Sequence, residues 1–392
     1  MPFDFDRVLD RRGTASLKWD TGPAADSPRG VLPAWVADMD FPAPEAVREA
    51  VRARAEHGVF GYTVRTAGYD RAVVDWMARR FGWAIEPGWI VSVPGVVPAV
   101  SLAVQAFSEP GDRVVIQSPV YHPFSEAIEQ NGREVVRNLL VEDRLRYRMD
   151  LDHLARAFEA GARLLILCSP HNPVGRVWGR DELEALAAVC IRHDVVVVSD
   201  EIHQDLVMPG RSHVPLASLG PEIAALTVTA TAPNKTFNIA GLQAGTVIIS
   251  NQERRRQFRA AMSRVGLGLP GLFAVVASEA AYTHGEPWLG ALLEYLHGNA
   301  TFVRDSLACR LPEVSVAPLE GTYLMWLDCR RLGLDDETIG RRLLDAGVWL
   351  DAGRRFGPGG EGFQRLNIGC PRATLDDAVN RIVSALAAAP PP

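Results

Sequence analysis

Asp200 and Lys235 are well placed in this sequence to do acid–base or covalent chemistry. Asp200 follows the apolar run 195–198, so its carboxylate is expected at the end of a buried strand, where ionisation is costly unless a cation or strong donors meet it. Lys235 follows the apolar strand 225–230 and is one of two lysines in the chain. A lysine in a partly dry cleft has a lowered pKa and bonds readily to carbonyl carbons. Taken singly, Asp200 could equally form a structural ion pair or cap a helix, and Lys235 could be a solvated loop residue.

Three further segments place polar groups where a ligand could use them. Asn172 lies in a proline-rich turn after a predicted strand, and its amide can donate to a phenolic oxygen. Gly95, Val96 and Val97 open a helix after a strand, where free N–H groups and the helix dipole favour a phosphate. Arg365 lies in a strand that is otherwise apolar at alternate positions, and a guanidinium there could hold a carboxylate through two hydrogen bonds. A plain turn and a structural salt bridge are the ordinary alternatives.

The hydrophobic pattern supplies a scaffold for these residues. From about residue 89 to 250, short β-branched runs alternate with helical stretches. Continuous apolar strands suit a sheet covered on both faces, which is the parallel α/β pattern. Ligands bind beyond the carboxyl ends of such strands, where Asn172, Asp200 and Lys235 fall. After about residue 285, a long helix, short strands and a final helix indicate a smaller α+β unit.

This pattern predicts a division of the chain into three parts. We expect an N-terminal arm over residues 1–44 that packs with the small domain, a large domain over 45–285, and a small C-terminal domain over 286–392. The Pro-rich tail 387–392 is expected to fray.

Composition limits the class of protein. The chain has 392 residues, of which 47% are hydrophobic and 22% charged, as in ordinary globular proteins. A net charge of -6 gives no reason to expect nucleic acid. No apolar run approaches the ~18 residues of a membrane helix, and the first residues lack the order of a signal peptide. The five scattered cysteines indicate reduced thiols in the cytoplasm, without disulfides or a zinc site, and the histidines lack metal-ligand spacing.

The order and spacing of these residues resemble those of fold type I pyridoxal-phosphate enzymes of the class I/II aminotransferase superfamily. More narrowly, the chain is similar to the MalY/PatB branch of cystathionine β-lyases, or C–S lyases, over essentially its whole length. The stretches that carry the resemblance include WVADMDFPAP at 35–44, LCSPHNPVGRVW at 167–178, SDEIH at 199–203, NKTFNIAGLQ at 234–243 and RLNIGCPR at 365–372. The resemblance implies an α/β fold, with a mostly parallel central sheet flanked by helices and a smaller α+β C-terminal domain.

The resemblance also implies pyridoxal 5′-phosphate as the cofactor and assigns roles around it. Lys235 would carry the cofactor and move the proton at the substrate Cα, and Asp200 would pair with the pyridine nitrogen. Tyr121 would stack on the ring, and Tyr62 would reach the phosphate from a neighbouring subunit of a homodimer. The remaining cofactor contacts that it implies are Asn172 and His203 near the phenolic oxygen, Gly95, Val96 and Val97 at the phosphate, and Ala232 and Asn234 beside the lysine.

For the amino-acid substrate, the resemblance implies that Arg365 clamps the α-carboxylate. The segment containing Trp35 and Val36 would shape the side-chain pocket. Two departures concern the phosphate: Ala232 and Asn234 stand where hydroxyl residues are frequent, and Gln243 stands where many aminotransferases carry arginine.

The reaction favoured by the resemblance is α,β-elimination of L-cystathionine or a related cysteine S-conjugate to a thiol, pyruvate and ammonia. An aminotransferase would use the same residues, but the proton would return to the C4′ carbon of the cofactor. Tailoring of a sulfur-containing secondary metabolite, by elimination or by decarboxylating oxidative deamination, and a regulatory role through a protein partner stay open. A nicotinamide enzyme is disfavoured because the GxGxxG match at 266–271 follows a basic helix and not a strand.

Overall fold

The computed structural model describes residues 3–26 and 30–387. We predicted fraying for the tail 387–392, and residues 388–392 of it lie outside the described residues. The strands, in chain order, are β1 Leu32–Pro33, β2 Ile90–Val93, β3 Arg113–Ser118, β4 Glu134–Leu139, β5 Val141–Asp143, β6 Arg146–Arg148, β7 Leu164–Cys168, β8 Val196–Asp200, β9 Thr227–Thr231, β10 Gly245–Ile248, β11 Ser315–Val316, β12 Leu324–Asp328, β13 Val348–Trp349, β14 Asp351–Ala352 and β15 Phe363–Asn367.

The helices form the second set of elements, and short 3₁₀ turns join several of them to strands. The α-helices are α1 Gly22–Asp26, α2 Glu45–Glu56, α3 Ala67–Phe81, α4 Val96–Phe107, α5 Pro123–Glu129, α6 Leu151–Glu159, α7 Arg180–Arg192, α8 Pro221–Leu226, α9 Pro233–Thr236, α10 Gln252–Arg264, α11 Leu272–His284, α12 Glu286–Arg310, α13 Asp336–Asp345 and α14 Arg372–Leu386. The 3₁₀ turns are Pro87–Trp89, Leu216–Ser218, Ala240–Leu242, Arg330–Leu332 and Gly353–Phe356.

The main sheet has seven strands in the order β2-β10-β9-β8-β7-β3-β4. Its pairings are parallel except those of β10, which runs antiparallel to both neighbours. Every residue of β7, β8 and β9 is buried because helices cover both faces. In β7, Leu164 and Ile166 pack with α4, α5 and α10, whereas Leu165 and Leu167 pack with α6, α7 and α8. The predicted α/β architecture is therefore confirmed.

The C-terminal part holds a four-stranded antiparallel sheet in the order β11-β12-β15-β14, with α12, α13 and α14 beside it. In α12, Leu289, Leu292, Leu296 and Val303 recur on one face and are fully buried. Strand β1 pairs in parallel with β13, so the N-terminal segment joins this part of the fold. The division of the chain at residues 44 and 285 stays a prediction.

Two local features differ from the sequence-based expectation. Lys235 lies in the short helix α9 and not in a loop, because Pro233 starts a helical turn directly after β9. The edge strand β4 and the hairpin of β5 and β6 were not foreseen. None of the described helices is long and apolar enough to cross a membrane.

Candidate active site

The predicted site residues gather at the carboxyl ends of neighbouring strands in the main sheet. Asp200 ends β8 and lies opposite Cys168, the last residue of β7. Asn172 follows β7 by four residues, and Lys235 follows β9 by four. Because these strands are parallel, their carboxyl ends share one edge, and the side chains beyond them converge there.

Lys235 is mostly buried, and its amine is held by a backbone carbonyl. Its Nζ donates to the oxygen of Ala37 at 2.6 Å. Burial lowers the pKa of Lys235 to about 8, although Asp38 nearby opposes this change. An amine with this pKa gives up its proton more readily than an ordinary lysine, so it suits both covalent attachment and proton transfer.

Asp200 is only 4% exposed. The amide of Ile202 donates to its Oδ1 at 3.0 Å, and within the described part of the chain no lysine, arginine or histidine nitrogen lies within 4.0 Å of its oxygens. Burial raises the pKa of Asp200 to about 7. A buried carboxylate of this kind is stabilised when a ligand brings a protonated nitrogen to it.

Arg365 lies in β15 with 3% of its surface exposed, and several groups hold its guanidinium. Nη2 donates to Asp351 Oδ2 at 2.8 Å and to the Trp35 carbonyl at 2.7 Å, while Nη1 donates to Asn172 Oδ1 at 3.0 Å. Its Nε is buried and has no partner among the described residues, so this N–H is left to donate to an incoming carboxylate. Since the Asn172 oxygen accepts from Arg365, the Asn172 amide nitrogen is left to donate to a ligand.

His203 and Tyr121 are enclosed near the same edge of the sheet. Burial, with Lys235 and Arg365 adding to it, lowers the pKa of His203 to about 3, so its ring is neutral at physiological pH. Burial also raises the pKa of Tyr121, which keeps the hydroxyl protonated. The Tyr121 amide donates to the Asn172 carbonyl at 3.2 Å and joins the two loops.

The region predicted to hold a phosphate lies at the start of α4. Val96 begins this helix after Gly95, which is extended. Val96 is buried and Val97 is 40% exposed. Near the lysine, Ala232 is buried, and the polar atoms Asn234 Oδ1 and Thr231 Oγ1 are buried without a partner in the described residues. Orphaned polar atoms beside Lys235 indicate that a polar ligand completes this region.

Tyr62, Trp35 and Val36, for which we predicted roles in a neighbouring subunit or in the substrate pocket, keep those roles as predictions. Tyr62 is 99% exposed, so it contacts none of the other site residues of its own chain. Trp35 and Val36 reach the site through their carbonyls, which accept from Arg365 and Asn367. The Trp35 ring instead stacks on Trp349, with centroids 4.5 Å apart.

Sequence reasoning missed Asp351 and Ala37. Asp351 lies in the two-residue strand β14, directly opposite Arg365. Only this cross-strand register reveals its role, since a lone aspartate in a short strand carries no signal. Ala37 contributes a backbone oxygen that accepts from Lys235, and because every residue has such an oxygen, the residue type could not predict this contact.

The mostly parallel sheet, with a lysine and an unpaired aspartate at its carboxyl edge, defines a fold type I transferase. The chain belongs to the aminotransferase class I and II family, whose model matches residues 36–382. Cystathionine β-lyase PatB of Bacillus subtilis is 47% identical over 385 residues, covering 98% of this chain and all of PatB. Protein MalY of Escherichia coli is 37% identical, covering 98% of this chain and 99% of MalY. The crystal structure of cystalysin from Treponema denticola, which contains pyridoxal 5′-phosphate, superimposes with a TM-score of 0.95 at 36% identity, covering 98% and 99% of the two chains.

Proposed function

We propose that this protein is a pyridoxal 5′-phosphate-dependent C–S lyase. It converts L-cystathionine or a related cysteine S-conjugate into a thiol, pyruvate and ammonia by α,β-elimination. The observation that carries the proposal is the grouping of Lys235, unpaired Asp200 and the Arg365–Asn172 pair at one sheet edge. Its 47% identity to a cystathionine β-lyase over nearly the full length supports this reaction class.

The residues at this edge fit the cofactor. Asp200 is a buried carboxylate that needs a cation, and the protonated ring nitrogen of the cofactor would provide one. The unpartnered Thr231 hydroxyl and the first amides of α4 can donate hydrogen bonds, which suits them to the phosphate end. When bound, the cofactor supplies an electron sink for the negative charge that develops at the substrate Cα.

The side chains divide the work of the elimination. Arg365 binds the α-carboxylate and orients the substrate, and Asn172 fixes that guanidinium while donating from its own amide nitrogen. Lys235 removes the Cα proton, because its lowered pKa leaves part of the amine unprotonated near neutral pH. Tyr121 would pack against the cofactor ring, and His203, whose lowered pKa keeps it neutral, would add no charge beside that ring.

Transamination is the alternative outcome, since the same residues would serve it. Product analysis of the holoenzyme with L-cystathionine, with and without a 2-oxo acid acceptor, separates the two reactions. Elimination yields pyruvate and ammonia without the acceptor, whereas transamination requires it.

The proposal includes a cytoplasmic homodimer with shared active sites. Tyr62 is almost fully exposed, and Val59, Phe60 and Val64 beside it are each more than 60% exposed. Such an apolar segment suits burial against a second copy of the chain, where Tyr62 would reach the neighbour's phosphate. The five cysteines are unpaired, which suits a reducing compartment.

A further inference from the structure

Asp351 holds two guanidinium groups, one buried and one open to solvent. Its Oδ2 accepts from Arg365, and its Oδ1 accepts from Arg355 Nη1 at 2.7 Å. Only 3% of the Arg365 side chain is exposed, whereas 43% of Arg355 is exposed. Arg355 therefore lies one carboxylate closer to solvent than the proposed substrate clamp.

His122 and Glu126 extend this series of hydrogen-bonded side chains beyond Arg355. Arg355 Nη2 lies 3.2 Å from His122 Nε2, and His122 Nδ1 lies 2.8 Å from Glu126 Oε1. A guanidinium only donates, so Nε2 accepts, and Nδ1 then carries the proton that is donated to Glu126. The result is a cation, Arg355, and an anion, Glu126, on either side of the His122 ring.

Arg355 and His122 are connected to two of the proposed site residues, Tyr121 and Arg365. His122 directly follows Tyr121, and their ring centroids are 5.5 Å apart. The Val120 amide donates to the Phe356 carbonyl, which ties the turn bearing Arg355 to the Tyr121 loop. The Phe356 ring in turn lies 4.7 Å from the Arg365 guanidinium carbon.

Both charged ends keep hydrogen-bonding capacity for a ligand. Arg355 makes two hydrogen bonds in the described structure, fewer than its N–H groups allow. Glu126 is 52% exposed, and its Oε2 has no protein partner among the described residues. A cation and an anion that each keep unused hydrogen-bonding atoms, on either side of one ring, are complementary to a zwitterion.

We propose that Arg355 and Glu126 bind the far end of the substrate, and that this end is itself an α-amino acid. Its carboxylate binds Arg355 and its ammonium group binds Glu126, while Arg365 holds the carboxylate of the cysteine half. The inference rests on the proposed function and narrows its leaving group to an amino-acid thiol. A far end with only a carboxylate would be repelled by Glu126, and a neutral one would use neither residue.

The test uses holoenzyme and three conjugates that share the cysteine half: L-cystathionine, S-(2-carboxyethyl)-L-cysteine and S-propyl-L-cysteine. Arg355→Met should lower kcat/KM for the first two by about 10- to 100-fold, the effect of losing a charge-assisted hydrogen bond. It should change the neutral conjugate by less than about threefold. Glu126→Gln should lower kcat/KM for L-cystathionine and leave or raise it for the carboxyethyl conjugate. The matched control is Arg354→Met, which removes the adjacent exposed arginine.

If Arg355→Met lowered kcat/KM equally for all three conjugates, Arg355 would act by positioning Asp351 and Arg365. If it lowered kcat/KM for none of them, Arg355 would not contact the substrate. Either result overturns the inference. Failure of the proposed function looks different, since wild-type enzyme would then release pyruvate from none of them. In that case the inference is still tested by calorimetry, which measures the binding of 2,7-diaminooctanedioate. This compound is a carbon isostere of cystathionine and has no thiol to lose. Arg355→Met should weaken its binding at least about tenfold relative to that of 2-aminooctanoate, which lacks the charged far end. An unchanged ratio of the two affinities would overturn the inference.

Discussion

Asp351 lies directly opposite Arg365 on adjacent antiparallel strands, and the two side chains form a buried ion pair at 2.8 Å. A lone guanidinium with 3% exposure would carry a large desolvation cost, which this carboxylate offsets. With Asn172 and the Trp35 carbonyl, Asp351 also fixes the plane of the guanidinium. The proposed clamp is therefore oriented before substrate arrives.

Arg365→Lys should lower kcat/KM for L-cystathionine by about 100-fold, mainly through KM. A lysine ammonium cannot serve three fixed partners and a carboxylate in one plane. Steady-state kinetics with Arg354→Lys as the control would measure the change. A loss below about threefold would show that this guanidinium does not bind the substrate.

Borohydride reduction of the holoenzyme should fix the cofactor on Lys235. The chain has two lysines, and the other, Lys18, is buried in an ion pair with Asp40. Peptide mass spectrometry can therefore assign the modified residue without ambiguity. Label on the Lys18 peptide would contradict the proposed site.

Asp200→Asn should stabilise the apoprotein at pH 8 and impair catalysis by the holoenzyme. The folded-state pKa of about 7 lies above the unfolded value of about 3.9, so Asp200 stays protonated to a higher pH in the folded state than in the unfolded state. Stability of the wild-type apoprotein therefore falls as pH rises from about 4 to 7, and the Asn variant escapes this loss. We expect an advantage of about 2–4 kcal/mol at pH 8 that shrinks toward pH 5, measured by denaturant unfolding. An Asn variant less stable than wild type at pH 8 would refute this prediction.

Hybrid dimers should reveal whether Tyr62 serves a neighbouring subunit. Lys235→Ala and Tyr62→Ala chains should each have low activity alone. When the two variants are mixed and exchange subunits, the mixture should recover up to about a quarter of wild-type activity, because half of the dimers are then hybrids with one intact site out of two. Exchange verified by mass without recovery would place Tyr62 outside the partner's site.

Much of this fold was readable from residue types. The β-branched runs located β7, β8 and β9, because strands buried on both faces must be continuously apolar. Asp200 and Lys235 stood out because charged residues directly after such strands need a reason to be there. The antiparallel direction of β10 was not readable, since strand direction depends on the connection and leaves no mark on the apolar pattern.

Several contacts of Arg365 and Lys235 could not be predicted from the sequence. Asp351 acts through a cross-strand register that forms only when β14 and β15 pair. Trp35 and Ala37 act through carbonyl oxygens, which every residue possesses. Position in three dimensions, and not residue type, gives these groups their roles.

Product analysis of the purified holoenzyme with L-cystathionine tests the central claim most directly. Pyruvate, ammonia and homocysteine should form in equal amounts without any 2-oxo acid, and Lys235→Ala should abolish all three. If products appeared only with a 2-oxo acid acceptor, and without ammonia, the enzyme would be an aminotransferase and the proposed elimination would be wrong.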